Sequence, residues 1–187
     1  MYTLDDLKNC TGCTLHRTRT NPLCGEGSLT AGCMFVAQAP GEQEDKQGRM
    51  FVGPSGRIFR RLLQHGGIPV PDIYMTNLVK CVLPRNRRPK QAEIDACSVY
   101  LKQEIAGIHP YILAPLGYYA TRYLFTEYGL GDFSRREFHV LIGSLVTAGG
   151  IRIMPLSHPA ALLYNESYEA ASKKHYKRLH TFIQRRT

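Results

Sequence analysis

The stretch Met34-Phe35-Val36-Ala37-Gln38-Ala39-Pro40-Gly41-Glu42-Gln43-Glu44-Asp45 changes character in one step. Its first four residues are apolar without interruption, which reads as a strand buried on both faces, because a half-wet strand alternates apolar and polar residues. Pro40-Gly41 then marks a turn, and an acid-rich polar segment follows. Other short, mainly apolar runs bounded by turn residues lie at Ile73-Tyr74-Met75-Thr76, Tyr111-Ile112-Leu113-Ala114 and Ile151-Arg152-Ile153-Met154, with a weaker candidate from Val140 to Val146. Helical faces lie between these runs: Ile58, Phe59, Leu62 and Leu63 up to Gly66-Gly67, Ile94, Cys97, Leu101 and Ile105 on a helix opened by Pro89, and Tyr168, Ala171, His175, Leu179 and Phe182 near the end. Strands alternating with helices predict a layered α/β domain with a parallel sheet, whose ligands gather at the C-terminal strand ends.

The segments after each strand are therefore the candidate site. The first strand leads into Gln38 to Asp45 and then Gly48-Arg49-Met50-Phe51-Val52-Gly53, the second ends at Asn77, and the last is followed by Ser157-His158-Pro159.

With 187 residues, the chain has the length of one domain, expected to span 1–187. Gly 17 and Pro 11 are too few for a low-complexity chain, and 43% hydrophobic residues suffice for a core. No apolar run reaches the ~18 residues that a membrane span needs. The opening Met1-Tyr2-Thr3-Leu4-Asp5-Asp6 lacks the basic start of a secretory signal, so a soluble, cytoplasmic protein without a membrane partner is expected. Lys and Arg number 24 against 15 acids, and the net +9 favours a polyanionic partner. The basic run Arg85, Arg87, Arg88 and Lys90 suits DNA phosphates or is simply a solvated loop, and the same choice applies to Lys173, Lys174, Lys177 and Arg178 on the last helix.

Six cysteines are too few for a disulfide scaffold. Cys10 and Cys13 form a C-x2-C pair, and Cys81 and Cys97 are a second pair separated by a longer segment. Four thiolates satisfy tetrahedral zinc or an iron–sulfur cluster, and buried apolar thiols are the third reading. Spacing does not choose among them. Cys24 and Cys33 fit the buried-thiol reading.

Taken in order, C-x2-C-x-L from Cys10, Gly25-Glu26-Gly27, A-Q-A-P-G-E-Q-E-D from Ala37, G-R-M-F-V-G-P-S-G from Gly48, Y-M-T-N-L-V-K-C from Tyr74, P-R-N-R-R-P from Pro84 and H-P-A-A-L-L from His158 resemble the family 4 uracil-DNA glycosylases. The resemblance implies a three-layer α/β/α fold with a central, mainly parallel sheet. It also implies a four-iron, four-sulfur (4Fe-4S) cluster on Cys10, Cys13, Cys81 and Cys97, and a monomer acting on DNA that contains uracil or a modified pyrimidine. Phe51 would stack on the flipped base, Asn77 would read its edge, Ala39 and Asn86 would complete substrate binding, and His158 would donate to the base anion as the glycosidic bond breaks. Arg85, Arg87 and Arg88 would meet phosphates, and Leu162 and Leu163 would wedge into the stack vacated by the base.

Two departures from the family pattern stand out. Gln38 occupies the place of the acidic residue expected to orient water, so it can position a nucleophile but not deprotonate it, and Glu44 becomes the acidic catalytic candidate. Met50 replaces the proline usual beside the stacking Phe. The functional expectation is a monofunctional glycosylase that hydrolyses the N-glycosidic bond of uracil in DNA and leaves an abasic site, with no lysine nucleophile evident. Two alternatives are kept: the same fold excising a modified pyrimidine, signalled by Gln38 and Met50, and a non-catalytic DNA-binding module. A superfamily branch that traps uracil covalently uses a histidine in an arginine-rich loop, and Val82 to Lys90 contains none.

Overall fold

A computed structural model describes residues 1–185, so the last two positions of the expected 1–187 unit lie outside the described residues. Its centre is a six-stranded sheet in the order β1-β3-β2-β4-β6-β5, built from β1 (Glu26–Gly27), β2 (Cys33–Ala37), β3 (Ile73–Asn77), β4 (Ile112–Pro115), β5 (Val146–Ala148) and β6 (Ile151–Ile153). Strands β3, β2, β4 and β6 are parallel, and the edge strands β1 and β5 pair antiparallel with β3 and β6. Every residue of β2, β3 and β4 is buried. That is the pattern expected of a sheet covered on both faces.

Side-chain parity separates the two covering layers. Cys33, Phe35 and Ala37 of β2 join a core with Phe59, Leu62 and Leu63 of α3 (Pro54–Gly66) and with Tyr176 and Leu179 of α8 (Glu169–Gln184). Met34 and Val36 point the other way, into a core with Ile94 and Leu101 of α4 (Gln91–Ile108) and Ala120 and Leu124 of α5 (Tyr118–Glu127). This alternation along one strand makes the three layers. Among the described residues the remaining α-helices are short: α1 (Leu4–Lys8), α2 (Glu42–Gln47), α6 (Arg135–Leu141) and α7 (Ala161–Tyr164).

The weaker strand expected from Val140 to Val146 is not one element. Val140 lies in α6 and is 83% exposed, and the strand begins at Val146. Ser134 caps α6 and exchanges hydrogen bonds with Glu137, so local capping overrode the short apolar run. Pro89 precedes rather than opens α4, whose N-cap is Lys90. Among the described residues no helix is long and apolar enough to cross a membrane.

Lys80 and Glu104 form a fully buried ion pair, Nζ to Oε2 at 2.7 Å, within the α4-side layer. Lys80 Nζ and Thr76 Oγ1 also hydrogen-bond at 2.5 Å, Thr76 Oγ1 donates to Glu104 Oε2 at 2.7 Å, and the Gly25 N–H and the Tyr2 and Tyr74 hydroxyls donate to Oε1. The network ties the N-terminus, the β1 approach and α4 to the end of β3. Saturating the carboxylate with donors is what makes a buried charge tolerable.

Candidate functional site

A cleft of about 320 Å³ opens at the C-terminal ends of the parallel strands. Gln38 and Ala39 after β2, Asn77 at the end of β3, and His158 beyond β6 all line it. Met50, Phe51, Asn86, Glu44 and Leu163 are among the other residues of its walls. The strand-end rule thus brings together residues far apart in sequence.

Phe51 adopts a left-handed backbone, φ 54°, which a side-chain-bearing residue rarely takes. Gly56 makes this possible, because a Cβ at that position would come within 1.9 Å of the Phe51 carbonyl oxygen. The Phe51 ring stacks on Phe59 at 4.3 Å and is only 6% exposed, so it belongs to the core and lines the cleft at once. Asn77 is 3% exposed, and its Nδ2 donates to Met50 Sδ at 3.1 Å.

His158 sits against Gly117, where a Cβ would lie 3.2 Å from the His158 Cβ. The Gly117 φ of 89° is a second reason for glycine there. Burial lowers the His158 pKa to about 4, so the ring is neutral near pH 7. Its Nδ1 accepts the Ala160 N–H at 3.2 Å, which leaves the ring proton on Nε2 as the remaining donor. A neutral hydrogen-bond donor at the cleft is therefore set by packing and one backbone contact.

Gln38 is anchored through its backbone carbonyl, which accepts from the Val79 N–H at 3.0 Å. Glu44 accepts the Gly53 N–H at 2.7 Å and reaches the cleft, whereas the neighbouring carboxylates do not. Asp45 is buried and accepts from the Thr20 and Asn21 amides at 3.0 and 3.2 Å, and Glu42 is exposed. Of the three acids after Gly41, only Glu44 can act in the cleft.

The rim separates residues that sequence order placed together. Leu163 is 47% exposed on the cleft edge, but Leu162 is 6% exposed and packed in the core. Tyr164, unread in the sequence, lines the same rim and is 88% exposed. Arg85 and Arg88 are exposed, but Arg87 donates to Glu93 at 2.8 and 2.5 Å and to the Arg88 carbonyl. Arg87 is thus a brace of its own loop. Arg85 and Asn86 hold left-handed φ values of 54° and 52°, consecutive strained residues of the sort that gather at ligand clamps. On α8, Lys173 pairs with Glu169 at 3.0 Å and Arg178 lies over the Phe182 ring.

Cys10, Cys13, Cys81 and Cys97 line one narrow cavity between the N-terminus, the segment after β3 and α4. Arg19 Nη1 donates to Cys81 Sγ at 3.2 Å and the Lys80 N–H to Cys97 Sγ at 3.1 Å. Burial pushes the free Cys97 thiol up to about 12, so its thiolate needs positive charge nearby. Among the described residues no group of three or more His, Cys, Asp or Glu is arranged to hold a metal ion. The four thiols border a shared space. Cys33 is fully buried in the other layer and Cys24 is half-buried, and neither lines this cavity.

The family model for the uracil DNA glycosylase superfamily matches residues 24–181. A type-4 uracil-DNA glycosylase of Saccharolobus solfataricus is 40% identical over 166 residues, covering 86% of this chain and 76% of the relative. One from Thermotoga maritima is 38% identical over 178 residues and covers 90% of each chain. The type-4 enzyme of Archaeoglobus fulgidus is 33% identical over 183 residues, 93% of this chain and 92% of its own. The match spans both covering layers and every strand, and the cleft described above lies within it, so the chain belongs to the uracil DNA glycosylase superfamily.

Proposed function

We propose that the chain hydrolyses the N-glycosidic bond of deoxyuridine in DNA, releasing uracil and leaving an abasic site. The observation that carries this reading is the neutral His158, held as an Nε2–H donor in the same cleft as Asn77, Phe51 and Gln38. The base leaves with the electron pair of the bond on N1, and water adds its oxygen to C1′ as its proton passes to solvent. His158 stabilises the charge on the departing base without giving up a proton. Asn77 reads the pyrimidine edge, Phe51 supplies the apolar face, and Ala39 and Asn86 narrow the cleft around the nucleotide. Gln38 holds the water while Glu44 supplies the nearby negative charge that favours a sugar cation. Leu163 and Tyr164, on the exposed rim, fill the gap left in the stack.

Cys10, Cys13, Cys81 and Cys97 hold a 4Fe-4S cluster in this reading, supported by four thiols on one cavity with N–H donors from Arg19 and Lys80 aimed at two of them. A bound cluster supplies a cross-link among three segments, since hydrolysis transfers no net electrons. The test is a panel of duplexes carrying uracil, 5-substituted uracils or other modified pyrimidines, with alkaline cleavage of abasic sites and detection of the free base. Uracil released ahead of every other base supports the proposal. Preference for a modified pyrimidine transfers the reading to that base, and binding without release from any duplex leaves a DNA-binding module.

A further inference from the structure

Met50 lines the cleft, and the reaction above leaves the chemistry of its sulfur unused. Its side chain is 3% exposed, and its sulfur receives the Asn77 Nδ2 at 3.1 Å. Its own N–H donates to Glu26 Oε1 at 2.9 Å, and the second Glu26 oxygen lies 3.5 Å from Arg49. Glu26 sits on β1, paired with Met75 of β3, two residues before Asn77. The edge strand therefore grips the segment that carries the sulfur, beside the strand that carries the amide.

A thioether accepts hydrogen bonds and cannot donate them, whereas a carboxamide has an oxygen end and an NH2 end of nearly equal shape. Facing sulfur, only the NH2 end gains a bond. The oxygen end there would set lone pairs against lone pairs. One amide hydrogen is thus committed to Met50, and the other hydrogen and Oδ1 remain for a base. Uracil offers an acceptor at O4 beside a donor at N3, and cytosine offers the reverse.

We propose that Met50 is a specificity-determining positioning residue whose sulfur fixes the Asn77 amide in the orientation that pairs with uracil and rejects cytosine, with Glu26 holding Met50 in register. The proposal rests on the reading of the cleft as a base pocket. Met50→Leu keeps the volume and removes the acceptor. Met50→Gln places an acceptor oxygen at the end of a chain of similar length.

The experiment measures binding of free uracil and free cytosine by calorimetry, alongside single-turnover uracil release from duplex DNA, for the wild type and both variants. Met50→Leu should narrow the preference for uracil over cytosine by about 10-fold, the scale of one hydrogen bond, and Met50→Gln should retain most of it. Unchanged preference in folded Met50→Leu overturns the proposal, and so does equal loss in both variants, which marks a packing role. If Met50→Leu does not fold, loss of preference in folded Met50→Gln also overturns it. Wild type that releases no uracil counts against the proposed reaction instead, and the free-base binding still decides the role of Met50.

Discussion

In the proposed reaction His158 and Gln38 play different parts, and each makes a different prediction. Burial holds the His158 pKa near 4, below the ordinary value of 6.5. Uracil release should stay level across roughly pH 5 to 8 as far as this ring is concerned and fall as the pH approaches 4, where a proton on Nδ1 displaces the Ala160 N–H that orients the ring, in a pH–rate profile at fixed ionic strength. Stability has the same sign. The unfolded chain binds a proton near pH 6.5 that the folded chain refuses, so the His158 contribution is complete above 6.5 and is lost as the pH falls toward 4. A pH titration of thermal unfolding, with and without His158→Gln, measures it. In the proposed reaction Gln38 positions water without acting as a base, so Gln38→Glu should preserve or raise uracil release while Gln38→Ala slows it by about 10²-fold in single-turnover assays. A Gln38→Ala protein with wild-type rates would remove Gln38 from the site. Asn77 and His158 were legible as strand-end residues because each follows a short apolar run, whereas their proposed roles came from the ordered motifs that carry the family resemblance. The Met50–Asn77 contact was not, since the fold, and no local pattern, brings sulfur to amide.

At the scale of elements, the buried Lys80–Glu104 pair is the joint between α4 and β3. Glu104→Ala leaves an uncompensated ammonium in the interior and should cost about 3–5 kcal/mol, read as a lowered denaturant midpoint, whereas an exposed pair such as Arg122–Asp132 should cost under about 1 kcal/mol when broken. Equal effects would mean that water reaches Lys80. The basic loop divides in the same way. Arg88→Ala should weaken binding to any DNA and reduce the salt slope, because phosphate contacts release counterions irrespective of sequence. Arg87→Ala frees the buried Glu93 and should act mainly on loop stability. If both variants change the salt slope equally, the bracing role of Arg87 is wrong. Helices α3, α4 and α8 were readable from apolar periodicity and the four inner strands from short apolar runs, whereas α5 was not read. Strand β1, with two residues, is too short to show a period, and α6 was hidden by the apolar run at its end although Ser134 and Glu137 carried its capping signal.

Across the whole molecule, the cysteine cavity and the cleft meet at the end of β3: Asn77 lines the cleft, and Cys81, four residues later, lines the cavity of the four thiols. The charge and the ordered motifs made a DNA-acting member of this superfamily legible in the sequence alone. What the sequence hid was the division of labour within motifs, with Leu162 in the core beside Leu163 on the rim and Asp45 bracing a loop beside Glu44 in the cleft. Protein purified without oxygen should carry about four irons per chain and absorb broadly near ~400 nm, as clusters on four thiolates do, and Cys97→Ala should lose both signals while Cys24→Ala keeps them. Stoichiometric zinc without iron would contradict that assignment. The central claim is hydrolytic release of uracil by this cleft, and single-turnover release of free uracil from a labelled duplex tests it most directly. Wild type should release one uracil per lesion. Asn77→Ala and His158→Ala, folded and with DNA affinity intact, should each be slower by about 10²–10³-fold, as expected for lost transition-state contacts. Wild-type rates in both variants, or no uracil from the wild type at saturating DNA, would contradict the account.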